Sequence, residues 1–522
     1  MTAGKNFKIG LLAVVVALLV GLFIAKPIIE KNVEQRAEED LSLFEPWIAM
    51  KAEKIEAALF SRSLVYKNLE ISVPLIGFTM QVEDYKYSGI DFMTFLGRPG
   101  DLTVIAKVEM LNVVNRLDPM VLVGLFYGLG SEVGSSQVFD TGKVEKYVLD
   151  GLSYNYRDLR KIMLENKDKD ILEYGLKLLP LLNTVHADRA RQYKISSFMK
   201  DLAPASSSVG YSIDYAESND ISINKMGPML VRDMNVSVDG QIIAHLGEAG
   251  ANGFKMPGIV REALDSPGSI LATFLSRQAD YEKNPFLVFE GFELDNLYFN
   301  DLEITVPGIA PLKLENWSMS LSVNKVFGLA SAMKNLFISK ELLAGWGGMQ
   351  ELLDEPLSLS GDFRFEMDPT AKMMPVHISG GLADATLGGG KGSMDISLPG
   401  GELARFYDAD FEETWLKGFM VQIHDKGIIP LFITFYARLS GGGCTAEDIY
   451  DEIALFLEDA FEDSTHPLEA KFIESVKSML EQGGKFTLSF SPAEPVKMGE
   501  FTGYDRQDIF DALGLKVEYS PD

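Results

Sequence analysis

The residues best suited to chemistry are few and scattered along the chain. Gly389-Gly390-Lys391-Gly392-Ser393 has the composition of a phosphate-cradling loop. That loop needs a glycine at the position held here by Ala385, and a hydroxyl residue after the lysine, where Gly392 stands. It must also open a helix, whereas Ser393 to Leu398 alternates like a strand. The stretch therefore reads as a turn. The 5 histidines, His186, His245, His377, His424 and His466, include no pair at two, three or four residues' spacing. A His-Glu-x-x-His zinc hydrolase is thereby excluded. His424-Asp425 reads as a turn at a strand end. No Gly-x-Ser-x-Gly elbow presents a nucleophilic serine. Cys444 follows three glycines and sits at a helix start, a setting that favours thiolate, but a lone cysteine is by default a small apolar filler. The adjacent carboxylates Glu38-Glu39, Glu412-Glu413 and Glu447-Asp448 would point away from each other on a helix and cannot share a proton. We expect no enzyme, no metal site and no cofactor.

The remaining signal is apolar. Phe286, Phe289, Phe292, Tyr298 and Phe299 crowd one region, and Phe432, Phe435 and Tyr436 another. Such residues build either a filled core or the wall of a groove for an apolar ligand. The candidate lining is Leu69, Ile71, Val73, Phe289, Leu302, Ile304 and Val306. Six of these come from a segment that occurs twice, Asn68-Leu-Glu-Ile-Ser-Val-Pro74 and Asp301-Leu-Glu-Ile-Thr-Val-Pro307. In each copy apolar and polar residues alternate, as on a half-buried strand, and a proline ends the run. Residues 64–87 and 297–319 are thus expected to form equivalent antiparallel strands. Lys107-Val-Glu-Met110 with Arg364-Phe-Glu-Met367, and Tyr211–Tyr215 with Phe486–Phe490, extend the match in the same order.

The elements that position these strands follow from patterning. Ile9 to Ala25 is an uninterrupted apolar run behind Lys5 and Lys8. It is long enough to cross a bilayer, and it lacks the small-residue cleavage pattern of a signal peptide. Basic residues ahead of the run put the N-terminus in the cytoplasm and the rest outside. The domain expectation is a cytoplasmic tip and transmembrane signal anchor at 1–27 and a helical stalk at 28–60. A first β-rich half at 61–285 carries a helix at 158–185, and a second at 286–522 carries a helix at 445–482. Pro119 to Gly130 is apolar but too short to span. Gly380-Gly381, Gly388–Gly390 and Gly441–Gly443 mark turns. The fold class expected is α+β: two tandem homologous halves, each a twisted antiparallel sheet with a long amphipathic helix, behind an N-terminal transmembrane helix.

Composition narrows the partners. The chain has 75 acidic residues against 48 lysines and arginines, a formal charge of −27, which repels nucleic acid. With 1 cysteine there is no intrachain disulfide. The anchor, the long β-rich region with recurring strand units and the closing Leu513-Gly-Leu-Lys-Val-Glu-Tyr519 together resemble the YdgA-like and AsmA-like bacterial envelope proteins. That resemblance implies a single-pass inner-membrane protein with its bulk in the periplasm, and for the AsmA-like group a link to outer-envelope lipid homeostasis. The expectation is a protein held at the inner membrane through residues 9–25 that binds or transfers lipid or another apolar ligand. The alternative is a non-enzymatic scaffold that engages other envelope proteins through its sheet edges.

Overall fold

The computed structural model describes residues 25–522 apart from 46–47, 75–76, 118–138, 166–176, 179, 182, 201–207, 266–276, 279–284, 306–307, 309–310, 325, 344–352, 354, 369–370, 372, 400–412, 440–444, 461–465 and 504–505. The chain divides into two compact units: Met1–Gln241 with Glu262–Ser269, and Ile242–Arg261 with Ile270–Asp522.

The first unit is an antiparallel meander. Strands β1 (Ala49–Lys51) and β2 (Lys54–Ala58) lie end to end along β3 (Ser63–Val73). The order continues through β4 (Phe78–Ile90), β5 (Thr103–Leu117), β6 (Phe139–Tyr154), β7 (His186–Lys200) and β8 (Ser208–Ser222). A short β9 (Lys225–Met226) follows, and then β10 (Met229–Val238), which pairs with β8. The unit also carries helix α1 (residues 25–41), the single turn α2 (Phe92–Phe95) and α3 (Tyr156–Glu165).

The apolar spacing of these strands is not the plain alternation of a strand. Inward residues recur at alternating intervals of two and three: Met80, Val82, Tyr85, Tyr87 and Ile90 on β4, and Ile105, Val108, Met110 and Val113 on β5. On β3, Leu64 and Tyr66 face the core, and so does Leu69. The cause is a residue that drops out of the ladder at the same height on strand after strand. The register runs Lys67↔Asp84 then Leu69↔Val82, which leaves Asn68 and Glu83 unmatched. The same gap recurs at Glu83/Asn112, Asn112/Glu145, Glu145/Lys194, Lys194/Asp214 and Asp214/Asp233. Every second member is left-handed, with φ of 46° at Asn68, 49° at Asn112, 53° at Lys194 and 52° at Asp233. Asparagine and aspartate tolerate that region better than other side chains. A second row lies six residues away, through Gly89/Ala106, Ala106/Gly151 and Asp188/Asp220. Gly151 has φ 63°, and a Cβ there would stand 1.9 Å from the Asp188 carboxylate, so only glycine fits.

The second unit repeats the plan. β11 (Gln241–Ala251) and β12 (Gly253–Lys255) lie end to end along β13 (Phe292–Ile304). The meander then runs through β14 (Leu312–Val323), β15 (Phe327–Ile338), β16 (Leu357–Met367), β17 (Met373–Asp384), β18 (Gly388–Pro399) and β19 (Trp415–Asp425). β20 (Gly484–Phe490) and β21 (Val496–Lys497) pair with β19, and β22 (Leu515–Ser520) pairs with β20. A helix at Gly258–Asp265 begins in this unit, and the later helices described are the single turn α4 (Lys340–Leu343), α5 (Ile428–Leu439), α6 (Ala446–Ala460), α7 (Pro467–Gln482) and α8 (Arg506–Leu513).

The duplicated segment forms the same hairpin in both units. Asp301 has φ 55° and Asn335 φ 52°. The register skips Asp301/Glu315 and Glu315/Asn335 as it skips Asn68/Glu83 and Glu83/Asn112. The amides of Asn112 and Asn335 each donate to the facing glutamate, Glu83 and Glu315. Strand β15, with Asn335, is therefore the equivalent of β5. The expected match of Lys107–Met110 with Arg364–Met367 on β16 is one strand out of step.

The α+β fold class is overturned. The structure is mostly antiparallel sheet, and helices do not alternate with it as equal partners. The helix expected at 158–185 is described over Tyr156–Glu165 and again only at fragments such as 177–178. The helix expected at 445–482 is two helices, because Pro467 starts a new one with His466 as its cap. The stalk at 28–60 is helical to residue 41, and then β1 and β2 replace the helix read from Trp47 to Phe60. Ile55 and Ala57 alternate inward there, with the period of a strand. No helix among the described residues is long and apolar enough to cross a membrane. Residues 9–24 of the apolar run, Pro119–Gly130 and Gly441–Cys444 lie outside the described residues.

Candidate ligand cavity

The first unit holds a cavity of 370 Å³ between α1 and the inner face of its sheet. Helix α1 is fixed there by its own carboxylates. Glu30 accepts from the Leu59 backbone N–H at 2.9 Å, and Glu34 accepts from that of Ala57 at 3.0 Å. Two acids one turn apart thus occupy donors along β2 that the ladder with β3 leaves free. The apolar side of the helix, Ile29, Val33, Ala37 and Leu41, packs on the core that includes Leu64, Leu69 and Ile105.

The apolar wall comes from Leu64, Leu69, Ile71, Ile90, Phe95 and Ile105. The rest of the lining is tyrosine-rich. Tyr66 lies 6.0 Å from Tyr85 and 6.2 Å from Tyr87, ring centre to ring centre, and Tyr85 and Tyr87 meet edge to face at 4.9 Å. Tyr154 and Tyr156 stand 6.2 Å apart. The Tyr87 hydroxyl donates to that of Tyr85 at 2.7 Å, and the Tyr156 hydroxyl donates to Asp40. The Tyr66 and Tyr154 hydroxyls have no hydrogen-bond partner among the described residues. Burial pushes the phenols of all five above the ordinary tyrosine value, and the Asp40 charge adds to this at Tyr66, Tyr154 and Tyr156. They remain neutral donors at physiological pH.

The charged edge of the cavity belongs to α1 and α3. Arg160 donates from Nε to Asp40 at 2.9 Å, so Asp40 is already met by a cation and a phenol. Arg36, one turn before Asp40, lines the cavity with its guanidinium 5.7 Å from the centre of the Tyr156 ring. It has no ion-pair partner among the described residues. At one flank the hydroxyls of Thr94 and Thr103 meet at 3.1 Å.

The residues expected to form an apolar lining fare differently. Leu69 and Ile71 line this cavity. Val73 is half-buried at the end of β3 and is not part of the lining. In the second unit Leu302 and Ile304 are half-buried on β13, and Phe289 is 53% exposed. Val306 lies outside the described residues. The tyrosines, Arg36 and Asp40 were missed. Their only sequence trace is the pairing Tyr85/Tyr87 and Tyr154/Tyr156 at strand-like spacing. Of the histidines, His377 contacts Asp395 at 2.6 Å and His424 contacts Asp522 at 2.7 Å, both on partly exposed strand surfaces. Among the described residues no group of three or more His, Cys, Asp or Glu is placed to hold a metal ion.

A family model described as an uncharacterized protein matches residues 390–520. That stretch lies in the second unit and does not include the cavity. No curated protein matches the chain.

Proposed function

We propose that the protein binds lipid or another apolar ligand in the cavity of its first unit, and that residues 9–25 hold it at the inner membrane with its bulk in the periplasm. The observation that carries the reading is the cavity itself: an unfilled space of 370 Å³ against aliphatic side chains. A core built only for stability closes such a space, since empty volume forfeits packing energy. Its size falls in the range of small-molecule pockets, roughly 300 to 1,000 Å³. A mostly apolar wall with a few polar groups at one edge is the lining such pockets use. The resemblance to envelope proteins linked to lipid homeostasis agrees with this reading.

The test compares full-length protein with Leu69→Trp, which fills the cavity from β3. Both are purified in the same detergent, and the small molecules they carry are identified by mass spectrometry. Wild type should retain an apolar molecule that the filled variant loses. An empty wild type, or equal recovery from both, would sink the proposal.

The scaffold reading keeps one observation of its own. On α6, Leu455 and Phe456 are 64% and 69% exposed, as an interaction surface would be.

A further inference from the structure

Resting on that cavity reading, we infer that the ligand is a single-chain carboxylic acid, its carboxylate held by Arg36 at the polar edge. The argument begins with which polar groups are already committed. Asp40 receives Arg160 and Tyr156, and Tyr85 receives Tyr87. The uncommitted groups are donors: the Arg36 guanidinium and the hydroxyls of Tyr66 and Tyr154. Tyr66 is 7% exposed, lines the cavity, and has no acceptor for its hydroxyl among the described residues. A ligand that accepts hydrogen bonds is the complement of such a set of donors.

Charge points the same way. The charged residues that line the cavity are Arg36, positive, and Asp40, whose charge Arg160 offsets. Arg36 is therefore the cavity-lining cation that no carboxylate among the described residues pairs with. Asp91 does not line the cavity; one of its oxygens caps the Thr94 N–H, the other is buried without a partner, and its charge reaches Tyr154, so Arg36 rather than the tyrosine anchors the carboxylate. The whole chain is strongly acidic, with a formal charge of −27. That field is screened beyond about 10 Å at ordinary ionic strength, so the nearby arginine governs what docks. A planar carboxylate can take two parallel bonds from one guanidinium. The aliphatic wall of Leu64, Leu69, Ile71 and Ile105 then takes the chain.

The test uses the full-length protein and three probes of equal chain length: oleic acid, oleyl alcohol and oleylamine. Their affinities are measured by displacement of one fluorescent apolar dye, above the pKa of the acid. The acid should bind about tenfold tighter than the alcohol, the value of one charge-assisted pair. Arg36→Gln should remove that preference by weakening the acid more than the alcohol, and Arg36→Lys should restore part of it. Equal binding of acid and alcohol, or tightest binding of the amine, would overturn the inference while leaving an apolar site in place. Failure of all three probes to bind would overturn the cavity reading itself. The comparison of probes on wild type decides the matter even if an arginine variant fails to fold.

Discussion

The hairpins β3–β4 and β13–β14 share a sequence, a register and a left-handed residue, yet they end in different surroundings. In the first unit Leu69, directly after the left-handed Asn68, is 2% exposed and faces the cavity under α1. In the second, Leu302 holds the same place after Asp301 and is half-buried, paired across the sheet with Leu246 and Leu314. Further along that sheet Phe363 and Leu382 are 42% and 50% exposed. The repeat therefore specifies the sheet and its kinks. It does not specify a cavity, which requires the helix at 25–41 that precedes the first copy.

The comparison can be broken most sharply at the kink. Deleting Asn68 turns the three-residue step from Tyr66 to Leu69 into plain alternation, so Leu69, Ile71 and Val73 keep their face but shift by one residue against β4, whose own step at Glu83 is left without a counterpart. The lost register against β4 should cost about 4 kcal/mol and destabilise the first unit. Deleting Asp301 should do the same to the second unit alone. Limited proteolysis mapped to each unit reads this out, and a deletion tolerated in either place would refute the shared kink.

A smaller effect separates roofed from open. Leu69→Ala should cost about 3 kcal/mol and Leu302→Ala about 1 kcal/mol, because Leu69 is 2% exposed and Leu302 only half-buried. Denaturant melts of each variant give the two numbers, and equal costs would mean that Leu302 is as enclosed as Leu69.

The smallest effect is one of pH. The five cavity tyrosines have folded-state values raised above the unfolded one. Below about pH 10 both states are protonated, so these groups leave stability unchanged. As the pH rises past that point the unfolded phenols ionise first, and stability falls until the folded values are passed. An ultraviolet titration should show these tyrosines ionising only as the first unit unfolds. Smooth ionisation of the folded protein near the ordinary value would contradict their burial.

The hairpins were legible because seven residues recur with their pattern intact. The kink was visible too, in a form that invites misreading. Leu69, Ile71 and Val73 alternate and were read as a complete strand face. The face continues to Tyr66 and Leu64 across a three-residue step, and that step repeats on β4 and β5. A period-two template stops at each step and loses half of the inward residues. The roof was legible only as a helix, because nothing in residues 25–41 says which surface they cover. The tyrosine cluster and Asp40 were out of reach. They come from α1, β3, β4, β6 and the start of α3, and only the register brings them together.

The transverse row of left-handed residues also bears on aggregation. An exposed sheet edge invites a foreign strand. Here the protein's own edge strand is already broken where it crosses the row. β1 pairs with Glu70–Ser72, β2 pairs with Ser63–Lys67, and the join falls at Ala52 and Glu53, where the Asn68 amide donates to Glu53. A flat intruding strand meets the same interruption. In the first unit, with rows six residues apart, the straight ladder it can copy is five residues long, shorter than the six or seven that make a stable zipper. A meander of many strands can thus keep open edges without becoming the seed of a fibre.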